Sequence, residues 1–280
     1  MKNFISNLTI ALKGELIKKK KSSIFLLAII FGVFIPLVFF IFSYFLQQDK
    51  KPDLPYNFYE NVIENIIGTY VYFMLVILII INASKIAQID HKNNGWQLMD
   101  VLPIKRSSTF IAKFIIINIA NVISMVTFFL STILFSFILM KTLPYPEGTT
   151  TFVPFSFILI SIVKITIASL FLTTLQYVFS VHFSNYIWAI LIGFFSFLAT
   201  NILKGFEIEY DWNPFTILSK TSSHVSQIQL DTLFIYYEKL SLILSILVFT
   251  FGLIWFNFKT FKLAFLNSMQ AKLGSIFCVF

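Results

Sequence analysis

Six long apolar stretches, nearly free of charge, divide this chain and make a membrane-spanning bundle its natural fold. They run from Ser22 to Leu46, Ile66 to Ala83, Phe114 to Met140, Phe155 to Val181, Tyr186 to Leu203 and Leu240 to Phe258. At about 1.5 Å of rise per residue, even the shortest approaches the roughly 30 Å hydrocarbon core of a bilayer. With 58% hydrophobic residues, 12% charged residues and 36 phenylalanines, the chain carries more apolar material than a 280-residue soluble domain can bury. Strands of an outer-membrane barrel would be shorter and would alternate apolar with polar residues, which these runs do not. The expectation is an all-α membrane protein with six transmembrane helices, forming one domain over residues 1–280.

Lysine and arginine set the orientation. With a cytoplasmic N-terminus, the inner segments hold Lys2, Lys13, Lys18 to Lys21, Lys85, Lys92, Lys105, Arg106, Lys113, Lys259, Lys262 and Lys272. The outer segments hold only Lys50, Lys51, Lys141, Lys204, Lys220 and Lys239. This bias predicts that both termini are cytoplasmic, in a multi-pass protein of a prokaryotic plasma membrane. The net charge of +8 then reads as topology and contact with lipid headgroups, and nucleic acid is not an expected partner. The first apolar run follows four lysines but is too long for a cleaved leader, so it reads as a signal anchor. One cysteine and three scattered histidines give no disulfide and no zinc-ligand spacing.

Residues Lys2 to Ile17 place Phe4, Leu8, Ala11, Leu12 and Leu16 at helical spacing, as in an amphipathic helix lying in the inner interface. Glu15 stands four residues before Lys19, where an i,i+4 pair would extend that helix. Gln47 to Asn65 reads as an acidic outer loop, and His182 to Asn185 as a tight inner hairpin. In the outer loop from Lys204 to Lys239, the aromatics Tyr210, Trp212 and Phe215 suit the headgroup level, and Val225 to Tyr237 reads as a short helix on the bundle or dipping into it.

Two segments could carry mechanism. The inner loop from Asp90 to Arg106 opens with the turn signal Asn94-Gly95, then repeats Trp96, Met99 and Leu102 at helical spacing up to Pro103. A short cytoplasmic helix with an apolar stripe needs a cover, either a partner protein or lipid; the plainer alternative is a surface turn anchored by Trp96. In the fourth span, Thr166, Ser169, Thr173, Gln176 and Ser180 share one helical face, with Asn118, Asn121 and Ser124 of the third span as a facing row. That stripe is either part of a translocation path or a seam of interhelical hydrogen bonds. Lys164, the lone charge drawn well inside a span, is expected to snorkel toward the outer surface. No carboxylate falls inside a span as drawn and the histidines lie in loops, so an intramembrane enzyme is poorly supported; a stand-alone sensor stays open.

The loop also carries a resemblance. Asp90, Gly95, Leu98 to Leu102, Pro103, Lys105-Arg106 and Lys113, together with Glu15-Leu16-Ile17-Lys18 before the first span, resemble the pattern of ABC-2-type exporter permeases. The branch brought to mind is the one linked to export of, or self-protection against, lantibiotics and other antimicrobial peptides. Trp96 and Asp90 depart from it, standing where a small polar residue and a Glu are commoner. The resemblance implies that Asp90, Gly95, Trp96, Met99, Leu102, Pro103 and Arg106 belong to a coupling helix between spans two and three that docks on cytoplasmic ATP-binding subunits. It also implies a second permease copy or a paralogue, and a hydrophobic or amphipathic solute. The chain has no Gly-x-x-x-x-Gly-Lys-Ser/Thr phosphate loop, so ATP and Mg are expected in the partner subunit and no cofactor in this one.

Overall fold

The computed structural model describes residues 2–19, 23–46, 57–92, 105–142, 149–183, 185–226 and 235–277. In chain order the helices are α1 (Lys2–Lys19), α2 (Ile24–Leu46), α3 (Phe58–Thr69), a π-helical turn (Tyr70–Leu75), α4 (Val76–Lys92), α5 (Arg106–Thr142), α6 (Phe155–His182), α7 (Tyr186–Gly205), α8 (Pro214–Ser226) and α9 (Tyr236–Phe277). Six of these segments are long and apolar enough to cross a membrane, with α3, the π turn and α4 forming one of them. Each expected span is therefore a helix.

The second span is longer than its apolar run. Helix α3 begins at Phe58, capped by Asn57, whose side chain accepts the Tyr59 N–H at 3.2 Å. Phe58, Val62, Ile63, Ile66 and Ile67 are buried on one face, while Asn61 and Asn65 are exposed on the other. The polar face makes these residues look like a loop in sequence, but the apolar face packs against α5 and α8. The π turn follows directly, and its first residue, Tyr70, is buried with its hydroxyl donating to Ser124 Oγ at 2.8 Å and its ring stacked on Phe128 at 4.1 Å.

Helix packing relies on close approach. Gly32 of α2 lies so near α5 that a Cβ there would meet Thr127 Oγ1 at 2.0 Å and the Ser124 carbonyl at 2.5 Å. Gly252 of α9 sits similarly against Val178 of α6. Small residues at such crossings let backbones touch where no hydrophobic force separates protein from lipid. The outward faces are apolar, with Phe34, Phe42, Leu130, Leu134, Phe195 and Phe251 among the exposed side chains.

The segment between α7 and α9 carries a helix earlier than expected. It covers Pro214–Ser226, whereas a short helix was expected over Val225 to Tyr237, of which 227–234 lie outside the described residues, and it buries Phe215, Ile217, Leu218 and Val225. Asn213 bonds forward to the Phe215 N–H at 3.0 Å and back to Thr200 at 2.9 Å, which starts the helix and ties it to α7. Helix α8 is thus packed into the bundle, while Tyr210 and Trp212 before it are exposed as an interfacial pair should be. Lys220 lies 2.5 Å from Glu209, and Lys204 lies 3.7 Å from the same carboxylate. The hydrogen bond from Lys220, with the charge of Lys204 beside it, holds Glu209 below the usual carboxylate range. A depressed carboxylate stabilises the fold above its unfolded value and loses that contribution as pH falls through its folded value. We expect Glu209→Gln to lower the melting midpoint near pH 7 and the gap to wild type to close as pH falls through the folded-state value of Glu209, where its carboxyl takes up a proton; equal midpoints at pH 7 would show that the pair contributes nothing.

Candidate functional site

Two polar features stand inside this apolar frame, one at the end of the bundle beside the loop from Asp90 to Arg106 and one through its middle. At that end, α4 ends at Lys92 and α5 starts at Arg106. Gly95, Trp96, Met99, Leu102 and Pro103 lie outside the described residues, and Asp90 is described only as backbone in the last turn of α4. Arg106 opens α5, half-buried, and its carbonyl accepts the Thr109 hydroxyl at 2.7 Å. The stem of the loop is therefore fixed at its α5 side by a helix start that satisfies its own first turn.

Helix α1 is joined to that stem. Leu8 and Leu12 are half-buried and Ala11 fully so, as the amphipathic pattern requires, while Leu16 is exposed. The face that packs on α5 is completed by a charge: Glu15 is 2% exposed and accepts from Lys113, itself 0% exposed, at 2.7 Å. Lys18 adds a second contact to the same oxygen at 3.1 Å, one residue short of the expected Lys19. Sequence reading missed this pair because the partners are far apart in the chain; the one available signal was Lys113 standing between Ala112 and Phe114 on an apolar helix. One turn earlier, the Phe110 carbonyl accepts the Tyr177 hydroxyl at 2.9 Å, and Phe110 packs against Phe249 and Phe256. The start of α5 is thus bonded to α1 and α6 and wedged against α9.

The fourth-span stripe lies in the interior. Ser169, Thr173, Gln176 and Ser180 are buried, and Thr166 is half-buried. Thr173 accepts from Asn121 of α5 at 3.2 Å, Gln176 donates to the Ala189 carbonyl of α7 at 2.7 Å, and Ser180 meets Ser84 of α4 at 3.4 Å. Thr166 reaches Met125 Sδ at 3.5 Å and also bonds its own helix at the Ile162 carbonyl. One face of α6 therefore bridges three neighbouring helices, the geometry of an interhelical seam. Gly193 makes room for it, since a Cβ there would stand 2.7 Å from Gln176 Oε1.

The expected facing row divides. Asn121 pairs with the stripe and Ser124 is taken by Tyr70, but Asn118 turns away. Its amide donates to the Phe114 carbonyl at 2.9 Å, and it lines a shallow apolar groove of about 430 Å³ with Ile115, Ile119, Val122 and Leu170. The two lie about 60° apart around α5, near enough to share a face in sequence, and the local bond to the Phe114 carbonyl is what takes Asn118 out of the row.

Other expectations are corrected. Lys164 does not snorkel: it is 2% exposed, about 14 Å along α6 from Phe155, with the Glu238 charge within reach. Carboxylates do fall inside spans, Glu60 and Glu64 in the second and Glu238 in the sixth. The histidines are on helices, His91 near the end of α4, His182 stacked on Trp255 at 4.4 Å at the end of α6, and His224 on α8. Among the described residues no group of His, Cys, Asp and Glu is placed to hold a metal.

No curated protein and no solved structure matches this chain. Residues 11–200 match the family described as ABC-2 family transporter protein, a stretch that runs from the buried face of α1 through the loop between α4 and α5 and the α6 seam into α7. The chain is a multi-pass membrane protein of the plasma membrane and belongs to the ABC-2 transporter family, whose members are the membrane permease components of ABC transporters.

Proposed function

We propose that this permease subunit works as an exporter for a hydrophobic or amphipathic solute, an antimicrobial peptide being the candidate class, in export or in self-protection. Two cytoplasmic ATP-binding subunits bind and hydrolyse ATP with Mg, and a second copy of this chain or a paralogue completes the membrane part. Both termini lie in the cytoplasm, and the loop from Asp90 to Arg106 carries the coupling helix, with Trp96, Met99 and Leu102 as its apolar anchors and Gly95 and Pro103 as its limits. The observation that carries this reading is the joint at the inner end of the bundle. The stem that starts at Arg106 is bonded through Lys113 to α1 and through Phe110 to α6, so a push on the loop is passed to two helices within two turns. The Asn121, Thr166, Ser169, Thr173 and Gln176 seam then connects α5 with α6 and α7, while Asn118 opens to the lipid side. In keeping with it, residues 1–280 carry no Gly-x-x-x-x-Gly-Lys-Ser/Thr phosphate loop of their own.

The test is purification of the tagged chain from its host in a mild detergent, followed by assay of ATP hydrolysis by the complex. An ATP-binding subunit is expected to co-purify, and Trp96→Glu with Met99→Glu is expected to remove it and at least tenfold of the hydrolysis while the chain still inserts. Hydrolysis unchanged in that variant would remove the loop from the coupling role.

A further inference from the structure

Helix α3 carries polar residues outward at a depth where its neighbours carry apolar ones. A crevice lined by Pro36 and Phe39 of α2, Val62 and Ile66 of α3, and Thr132 and Phe135 of α5 sets these three helices level with one another. At that level the outward faces of α2 and α5 are apolar, with Val38, Ile41, Leu134 and Phe137 all exposed, as contact with lipid requires. The outward face of α3 is polar instead: Asn61, Asn65 and Thr69 are exposed along it, and Glu60 and Glu64 are half-buried beside it. Polar residues in a membrane-spanning segment face water or protein rather than acyl chains. The stripe therefore calls for a cover that the described residues do not provide.

What the stripe presents is self-complementary. The Asn65 side-chain amide donates to the Asn61 backbone carbonyl and to Asn61 Oδ1, each at 2.8 Å. Among the described residues this leaves the Asn61 amide hydrogens and Asn65 Oδ1 open, a donor and an acceptor held one turn apart. At about 100° per residue, Asn61 and Asn65 stand about 40° apart in the middle of the face, with Glu60 and Glu64 on one flank and Thr69 on the other. Two copies related by an axis along the membrane normal bring Asn61 of each against Asn65 of the other, and the open groups close in two reciprocal hydrogen bonds. The same operation sends the glutamates of the two copies to opposite edges of the contact, so like charges do not meet. Acyl chains offer neither donor nor acceptor to such a face.

We propose that the Asn61–Asn65 face of α3 is the seam with a second copy of this chain, which makes the membrane part a homodimer. The inference rests on the second-permease part of the function proposed above and on neither the solute nor the ATPase.

The test follows self-association of the full chain in lipid vesicles, by energy transfer between donor and acceptor dyes on Cys278, the one cysteine, as the protein is diluted in lipid. Wild type is expected to dimerise, Asn61→Leu/Asn65→Leu to need at least tenfold more protein per lipid for the same dimer fraction, and Leu134→Ala/Phe137→Ala to match wild type. Both asparagines are exposed, so the leucine pair leaves the interior of the chain untouched. In a Cys278→Ser background, mild oxidation of membranes should link Asn65→Cys into a disulfide dimer and leave Leu134→Cys unlinked. In leaky membranes Asn65→Cys should also react with a water-soluble maleimide at least tenfold more slowly than Trp212→Cys, an exposed position. A leucine pair that dimerises like wild type overturns the seam and leaves the second copy on another face. A monomeric wild type overturns the homodimer and leaves a paralogue as the second permease. Asn65→Cys that labels as fast as Trp212→Cys and does not cross-link overturns the seam in favour of a water-filled path along α3.

Discussion

Gly32→Leu is expected to prevent the protein from accumulating in the membrane, and Gly32→Ala to lower its stability by about 1–3 kcal/mol or more. The obstruction is a helix backbone. A Cβ at position 32 would lie 2.5 Å from the Ser124 carbonyl, which belongs to a continuous turn of α5 and already accepts the Thr127 hydroxyl at 2.9 Å. Rotating Thr127 away relieves the 2.0 Å contact with its Oγ1 but not the second one, so α2 has to move off α5 as a body. That movement also disturbs Ser124, whose hydroxyl holds Tyr70 at the π turn. Gly68→Ala is the control, because nothing lies within 4 Å of a Cβ there and the helix gains about 0.5–1 kcal/mol from losing a glycine. Thermal unfolding of the three proteins in one detergent decides the matter; equal midpoints for wild type and Gly32→Ala would show that the α2 contact is not close packed.

Lys113→Met is the second large effect, expected to destabilise by about 3–5 kcal/mol because it takes a fully buried cationic partner, 2.7 Å away, from the buried Glu15 carboxylate. Glu15→Gln/Lys113→Met removes both charges and should recover most of that loss. The four proteins of this cycle measure the coupling between the two side chains. Additive losses would mean that α1 is held by its apolar face alone. If the pair is the joint that we propose, limited proteolysis of Lys113→Met should also release α1 first, since among the described side chains its apolar contact face is then Leu8, Ala11 and Leu12.

How far the fold could be read in advance depended on whether a residue's neighbours in sequence were also its neighbours in space. The spans were legible because twenty apolar residues in a row admit few arrangements in a membrane. Glu60, Asn61, Glu64 and Asn65 hid the start of α3, because a one-sided polar face averages with its apolar opposite in any window. Lys164 was misplaced for a similar reason: its distance from Pro154 was visible, whereas Glu238, which gives a lysine reason to stay buried, arrives with a helix much later in the chain. In the α6 stripe, helical periodicity put Thr173 and Gln176 on one face, and the structure supplied Asn121 and the Ala189 carbonyl as partners. Periodicity alone gave no reason to separate Asn118 from Asn121. The Glu15–Lys113 pair lay beyond any local pattern, and the loop from Gly95 to Pro103, which we propose as the coupling element, falls outside the described residues.

The π turn at Tyr70–Leu75 has a geometric consequence for the second span. One extra residue in a helical turn rotates everything after it by about 100° relative to an unbroken helix. The first half of the span, with Val62, Ile63, Ile66 and Ile67, faces α5 and α8, whereas the second half, with Ile79, Ile80 and Ala83, faces α6 and α7. A single crossing thus serves two different sets of neighbours, and the turn between them works as a phase adapter, letting the end packed on α8 and the end packed on the α6 seam each keep its own angular register.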